Sequence, residues 1–502
     1  MPPQRIIKEG PAPGIVVSLS LMMLFCVAVS LFFFSGQSLR LDEAQSLWQS
    51  GRDPGSILAV IAQDVHVPFY HLLLHFWRLF VGDSISSARL MSLVFYVLSI
   101  PALYFLGRLA YSRPVGVFAA LLFALSPFMN WYGSEIRMYT LFTFLVILNQ
   151  YFYVRLMVGR ASEHVWIGYA LTAILGVFTH YFFFLNLGGQ ALFYFLRRDL
   201  FPKESLRYFV GIALIIAAVF LPWVWYVGTQ GTIGYQNPAL PTPTTVNLFS
   251  TFSQFLFGFQ SDHLNTFFLS LWPIVLMLGL LTLRKHARLT PQAEYFTISV
   301  LAAVIVAFVA SFIVPIFVSR YLIFTIPSLY LLLASIIDIY TPRFAKNVRL
   351  AFVLLMLVML GSEVASSSTP VKEDYHAAVS YINENIAPQD ILVASAPFTI
   401  YPIEYYYRGP APITTLPQWD RYRFGPIPAF DESQLPQQVE TLAGEHQNLW
   451  LLLSYDQGYE ERIRLYFDTH YERLMIKNFS PGLNLYVYKL RYDTPLSRES
   501  SR

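Results

Sequence analysis

The chain has 502 residues, of which 55% are hydrophobic, 17% aromatic and only 13% charged, with a mean hydropathy of +0.48. Charged residues reach about half the roughly 25% usual in soluble domains, so a division into several soluble domains is excluded and most of the chain must face lipid. The net charge of +3 is too small to imply a nucleic acid partner, and the single cysteine, Cys26, excludes an intrachain disulfide or a cysteine-based metal centre.

In chain order, Arg5 and Lys8 precede an apolar stretch from about Ile15 to Phe34 with no small-residue cleavage site behind it, which predicts an uncleaved first helix. Further apolar runs near 87–107, 114–131, 138–157, 164–179, 181–196, 207–227, 266–283, 294–315, 320–338 and 348–366 bring the expected number of spans to eleven. The fifth and sixth are short and meet at Thr179-His180-Tyr181; losing one would invert everything downstream.

Basic residues near span ends prefer the cytoplasmic side. An inside N-terminus and eleven spans put Arg108, Arg113, Arg155, Arg160, Arg197, Arg198, Lys203, Arg207, Arg343, Lys346 and Arg349 there, while the outer loop from about 228 to 265 has no Lys or Arg. The chain beyond Thr369 then lies outside. Its composition shifts to short β-rich stretches (Ile391–Ala394, Leu449–Leu453, Leu485–Lys489) alternating with helical ones (Tyr375–Asn385, Glu460–Tyr466), around a Pro-rich loop from Pro397 to Pro428. The expected architecture is a mainly α polytopic membrane protein, residues 1–368, with a small extracytoplasmic α/β domain, residues 369–494, and a disordered tail, 495–502. The membrane part includes a long first outer loop, 35–86, in which Pro54–Gln63 and Pro68–Phe80 have the apolar spacing of interfacial helices.

Charges at membrane depth are costly, so chemistry is sought among those kept near span ends. Asp42 and Glu43 follow the first span directly, where partial desolvation and mutual repulsion would raise the pKa of one and suit it as a general base. The alternative is a solvated turn that caps a following helix. His66 precedes Val67-Pro68 at a helix start, and His71 and His75 have the i, i+4 spacing of metal ligands without the intervening Glu of a zinc protease, so interfacial packing is the better reading of that pair. The short connection Trp131–Tyr139 holds Glu135 and Arg137; an Arg fork there suits a phosphate, and an internal Glu135/Arg137 pair is the competing reading. His180 and Arg320 occupy matching outer ends of later spans, where each alone would be ordinary packing or snorkelling. Together, a carboxylate pair, two histidines and two arginines beside the membrane form the set that transfer from a lipid phosphate requires.

These residues resemble the GT-C membrane glycosyltransferases, specifically the protein-mannosyltransferase-like family 39 group and its bacterial relatives that glycosylate lipid A or other glycans. The resemblance rests on Asp42-Glu43-Ala44, His66-Val67-Pro68-Phe69-Tyr70, Ser134-Glu135-Ile136-Arg137-Met138-Tyr139, Thr179-His180-Tyr181 and Arg320-Tyr321-Leu322, across roughly residues 10 to 365. It implies inverting transfer of a sugar from a polyprenyl-phosphate donor on the outer face of the cell membrane, to a glycan, lipid or protein acceptor. Asp42 falls at the base, Glu43 beside it, and His66, Tyr70, Glu135, Arg137, Tyr139, His180, Arg320 and Tyr321 at the substrate and its phosphate. Val67 departs from the second proline usual in relatives. Some relatives hold a divalent metal near the first-loop acids; no complete ligand set is visible here, so Asp42 and Glu43 would be its only evident ligands. A transporter or flippase of lipid-linked sugars is the alternative, together with a non-catalytic glycan-assembly protein. Transport would favour midplane charges in two similarly broken repeats, whereas mid-span charges are nearly absent here.

Overall fold

A computed structural model describes residues 13–229, 242–285, 290–340, 344–366, 373–422, 427–454 and 458–490. The expected tail at 495–502 lies outside them. The chain forms two compact units, one of Met1–Gly36 with Asp53–Pro370, the other of Gln37–Arg52 with Val371–Arg502. The segment Gln37–Arg52 thus leaves the first outer loop, where the sequence had put it, and joins the C-terminal residues.

Helix α1 (Pro13–Gly36) is followed by α2 (Leu41–Ser50), α3 (Pro54–Ile61), α4 (Phe69–Val81), α5 (Ile85–Ala110) and α6 (Arg113–Leu125). Next come α7 (Pro127–Gly133), α8 (Tyr139–Met157), α9 (Glu163–Val177), α10 (Phe183–Leu196) and α11 (Ser205–Thr229). The first unit ends with α12 (Thr245–Phe257), α13 (Asp262–Lys285), α14 (Pro291–Ala310), α15 (Ile326–Tyr340) and α16 (Ala345–Ala365). Every expected apolar run contains helix, but the count of eleven spans is not confirmed. Among the described residues seven helices are long and apolar enough to cross a membrane, or eight if α6 and α7 are one span bent by 62°. The bend has a local cause: Pro127 cannot continue the hydrogen-bond ladder, and the Ser126 side chain accepts from Met129 N–H to start a new helix. Helices α9 and α10 have 15 and 14 residues, about 22 Å of rise against roughly 30 Å of hydrocarbon.

Helix α5 is the hub of this unit, packing on α1, α4, α6, α7 and α8. Its crossing with α6 depends on Gly107 and Gly116: a Cβ on Gly116 would lie 2.6 Å from the Tyr104 carbonyl oxygen and 2.9 Å from the Arg108 nitrogen. Small residues let membrane helices approach where no hydrophobic force separates protein from lipid. Polar contacts supply the other cohesion. Asn149 of α8 donates to Thr172 of α9 (3.0 Å) and accepts from Asn186 (3.0 Å) and Gln190 (2.9 Å) of α10, while Gln150 donates to Ser328 of α15 (3.1 Å). All five residues other than Thr172 are at most 2% exposed, and this network ties the two short helices to the longer ones. Leu21, Leu24, Phe32, Leu214, Val306 and Val358 are exposed, as lipid-facing residues are.

The second unit joins α2 to α17 (Tyr375–Asn385), β1 (Ile391–Ser395), α18 (Ile400–Tyr406), β2 (Ile413–Thr415), α19 (Leu435–Glu445), β3 (Asn448–Leu453), α20 (Glu460–His470), β4 (Glu472–Ser480) and β5 (Leu483–Lys489). The strand order is β2-β1-β3-β5-β4; β1 runs parallel to β2 and β3, and β5 antiparallel to β3 and β4. Strand residues alternate between two cores. Leu392, Ala394, Trp450 and Leu452 pack with α17 and α18, whereas Ile391, Val393, Leu449 and Leu451 pack with α19 and α20. The three expected strands are present, but the Pro-rich loop also contains α18 and β2, and β4 was not foreseen. Strand β4 reads ERLMIKNFS and is mostly exposed, so it lacks the apolar signal of a buried strand.

Gly116→Ala should cost about 1–3 kcal/mol through overpacking against backbone atoms, seen as a lower thermal midpoint of the detergent-solubilised protein, while Gly188→Ala, with open space at its Cβ, should leave it unchanged.

Candidate active site

Three connections of the membrane unit bring polar side chains inward. The chain leaving α3 turns through Asp64 and His66 before Pro68 opens α4, and Phe69 N–H donates to the Phe178 carbonyl at 3.0 Å, fixing this turn against the end of α9. Arg137 lies between α7 and α8; its backbone N–H donates to the Glu135 carbonyl at 2.8 Å, and its carbonyl accepts from the Ser92 hydroxyl at 3.4 Å. His180 lies between α9 and α10, its N–H donating to the Gly176 carbonyl at 3.0 Å. Gly176 is required here, since a Cβ would meet the Phe183 ring at 2.1 Å.

His66, Arg137 and His180 are 7%, 3% and 8% exposed, and Arg137 Nη2 lies 2.9 Å from His66 Nε2. A guanidinium only donates, so His66 Nε2 accepts and carries no proton. Asp64 Oδ2 stands 4.0 Å from the same nitrogen, close enough to offset the guanidinium charge. The Tyr181 hydroxyl donates to the His66 carbonyl at 3.4 Å. His180 stacks on Phe142 at 4.7 Å between ring centres, with Tyr321 at 5.4 Å and Tyr139 at 6.4 Å, and its Nδ1 accepts from Phe182 N–H. His71 stacks on His66 at 5.9 Å and meets the edge of Tyr70 at 5.3 Å.

Burial holds the His180 pKa down to about 3, with His66 and Arg137 adding to the effect. His71 is held well below the ordinary histidine range by burial first, then by His66 and Arg137. Neither His71 ring nitrogen has a hydrogen-bond partner among the described residues. The fixed positive charge is therefore the Arg137 guanidinium, which cannot be neutralised, flanked by neutral imidazoles. Such a group suits a phosphate oxygen, since its fork can donate two hydrogen bonds, and the neutral His180 ring, with Nδ1 accepting, carries its proton on Nε2.

The structure thus brings His66 and Arg137 into direct contact and sets His180 between Tyr139 and Tyr321. Arg320 lies against the Tyr321 ring at 5.7 Å, and Glu135 is buried beside Arg137 in the chain. The i, i+4 pair separates: His71 turns to His66, while His75 meets Phe76. Asp64, His71 and Phe142 were not foreseen as parts of the cluster; the one sequence signal was an acid two residues before His66. Two clefts of about 510 and 380 Å³, the first lined by Trp166, Lys203 and Tyr208 and the second by Ser454, Glu460 and Arg464, contain no residue of the expected site.

Asp42 and Glu43 belong to the other unit, on the first turn of α2. Glu43 is wholly buried and its Oε2 accepts from Arg40 N–H at 3.0 Å, so it caps α2 from a buried position instead of a solvated turn. Asp42 is half-buried. No group of three His, Cys, Asp or Glu side chains among the described residues is arranged to hold a metal ion.

Because the His180 pKa lies below its unfolded value near 6.5, the unfolded chain binds the extra proton first. Stability from this group is complete above about pH 6.5 and is lost as pH falls toward about 3. His180→Phe keeps the stack on Phe142 and should flatten the acid limb of a profile of thermal midpoint against pH.

A family model described as dolichyl-phosphate-mannose-protein mannosyltransferase matches residues 65–226, which contain His66, Arg137 and His180. No curated protein matches the chain. Among solved structures, the chain is similar to ArnT from Cupriavidus metallidurans in the apo state, with a TM-score of 0.62 at 14% identity over 95% of this chain and 98% of that one. ArnT bound to undecaprenyl phosphate gives a TM-score of 0.62 at 13% identity over 96% and 99%. The chain is a polytopic membrane protein with the fold of the GT-C glycosyltransferases.

Proposed function

We propose that this protein is an integral membrane glycosyltransferase that moves a sugar from a polyprenyl-phosphate donor to a hydroxyl of a glycan, lipid or protein, with inversion. The observation that carries this reading is the buried Arg137–His66 pair flanked by neutral histidines, in a fold shared with a protein whose structure holds undecaprenyl phosphate. Charge placement supports a cytoplasmic N-terminus, an extracytoplasmic C-terminal domain and reaction on the outer face of the cell membrane.

In the proposed reaction the acceptor oxygen attacks the anomeric carbon as the bond from that carbon to the phosphate oxygen breaks. Asp42 takes the acceptor proton. The electron pair of the broken bond stays on the polyprenyl phosphate, whose added charge is stabilised by Arg137, with His66 fixing the guanidinium and His180 donating through Nε2. Tyr70, Glu135, Tyr139, Arg320 and Tyr321 complete the wall of the phosphate site, and Glu43 orients Asp42 by holding the start of α2. The uncharged state of His71 and His180 supports a role as spacers and, for His180, as a donor, instead of as bases.

Mass spectrometry of glycolipids and surface glycans from cells with and without the gene names the sugar and the acceptor together. Asp42→Asn should fail to restore the missing sugar, with the rate down about 10²–10⁴-fold. Arg137→Lys should lower it about 10²–10³-fold, because an ammonium cannot replace the fork. Restoration by Asp42→Asn at the wild-type level would move the base elsewhere, and an unchanged glycan profile in the deletion strain would overturn the transferase reading.

A further inference from the structure

Helix α2 has 10 residues, below the length of roughly 12–15 at which an isolated helix becomes stable in water. Its orientation must come from what it packs on. Within its own unit it is held at both ends by residues far along the chain. At the N-terminal end, Leu39 N–H donates to the Tyr406 hydroxyl at 2.9 Å, across 367 residues of sequence. At the C-terminal end, the Trp48 ring lies 5.1 Å from Tyr401 and 6.0 Å from Tyr422. The Arg52 guanidinium sits over Trp48 at 3.9 Å and reaches Tyr422 at 5.7 Å. Tyr422 is itself fixed, since its hydroxyl donates to Glu404 at 2.9 Å and Glu404 pairs with Arg421. Helix α18, which supplies Tyr401, Glu404 and Tyr406, packs directly on α2 and is anchored in turn by Ile400 and Ile403 in the sheet core.

We propose that Tyr406 and the Trp48–Tyr401–Tyr422 stack are positioning residues for the transfer reaction: through α2 they set where the Asp42 carboxylate stands. The C-terminal domain is then part of the catalytic apparatus, its ties to the segment after α1 including the Leu39–Tyr406 hydrogen bond and the aromatic–guanidinium stack. The inference rests on the reading of Asp42 as the base. It also accounts for why Gln37–Arg52 forms a unit with residues that follow it only after the last membrane helix. A base must sit within hydrogen-bond reach of the acceptor hydroxyl, and small displacements of a reacting group carry large rate penalties.

The test uses purified full-length protein added to membranes of the deletion strain, which carry both donor and unmodified acceptor, with the initial rate of glycoform formation followed as membrane is titrated. Binding of undecaprenyl phosphate to the same preparations is measured in parallel. Tyr406→Phe removes only the hydroxyl, and Trp48→Leu removes the stack; each should lower kcat about tenfold while apparent KM and undecaprenyl phosphate binding stay at wild type. Trp48→Phe, which keeps a ring for Arg52 and Tyr401, should recover most of the rate. Arg462→Ala, which breaks an exposed ion pair with Glu432 in the same unit, should change neither quantity. Wild-type kcat in Tyr406→Phe and Trp48→Leu alongside an inactive Asp42→Asn would overturn the positioning role and leave the base assignment standing. Equal loss of kcat and undecaprenyl phosphate binding would also overturn it, marking a fold defect. Wild-type activity in Asp42→Asn would remove the reading on which the inference rests.

Discussion

A guanidinium that cannot be neutralised, buried to 3% exposure beside the membrane, is the constraint around which the candidate site is organised. Arg137 requires acceptors, and one of them is a histidine nitrogen, which fixes the protonation of His66. The same charge, added to burial, disfavours protonation of His71 and His180. Burial, reinforced by that charge, thus keeps the neighbours neutral and gathers the positive potential at one point, instead of spreading it over several titrating groups. An anion entering this cluster would meet prearranged donors.

The cluster stands on a scaffold that hydrophobicity alone does not assemble. Lipid tails are as apolar as leucine, so helices in a bilayer need close backbone approach or polar contacts to associate. Gly107 and Gly116 provide the first for α5 and α6; Asn149, Gln150, Asn186 and Gln190 provide the second for α8, α9, α10 and α15. The amide network has a direct consequence for the site, because α8 starts two residues after Arg137 and α9 and α10 flank His180. Helices too short to define their own depth are held in register by hydrogen bonds at their middle, and the turn between them can then place an imidazole against Phe142 and Tyr321.

The C-terminal unit extends the same logic to a soluble sheet. Its strands alternate between two cores, and one of those cores carries α18, the helix that packs on α2. A ten-residue helix with two adjacent acids divides their labour by burial: Glu43 turns inward to cap the helix and Asp42 stays half-exposed. Adjacent carboxylates in sequence thus meet different surroundings, because successive residues on a helix point about 100° apart.

Composition alone determined that this is a membrane protein, since 13% charged residues cannot cover a soluble surface. Apolar runs located every membrane helix, and short β-rich stretches located β1, β3 and β5, because those signals are local. The order Asp42, His66, Arg137, His180, Arg320 along outer connections made the resemblance legible without any contact being visible. Tertiary structure alone decided that His66 touches Arg137, that His71 turns to His66 and away from His75, that Glu43 is a cap, and that residues 37–52 belong with the C-terminal domain. Each of these depends on atoms distant in sequence meeting at a few ångströms. Spacing along a chain carries no record of that, whereas burial and hydrogen-bond satisfaction in the folded state fix it.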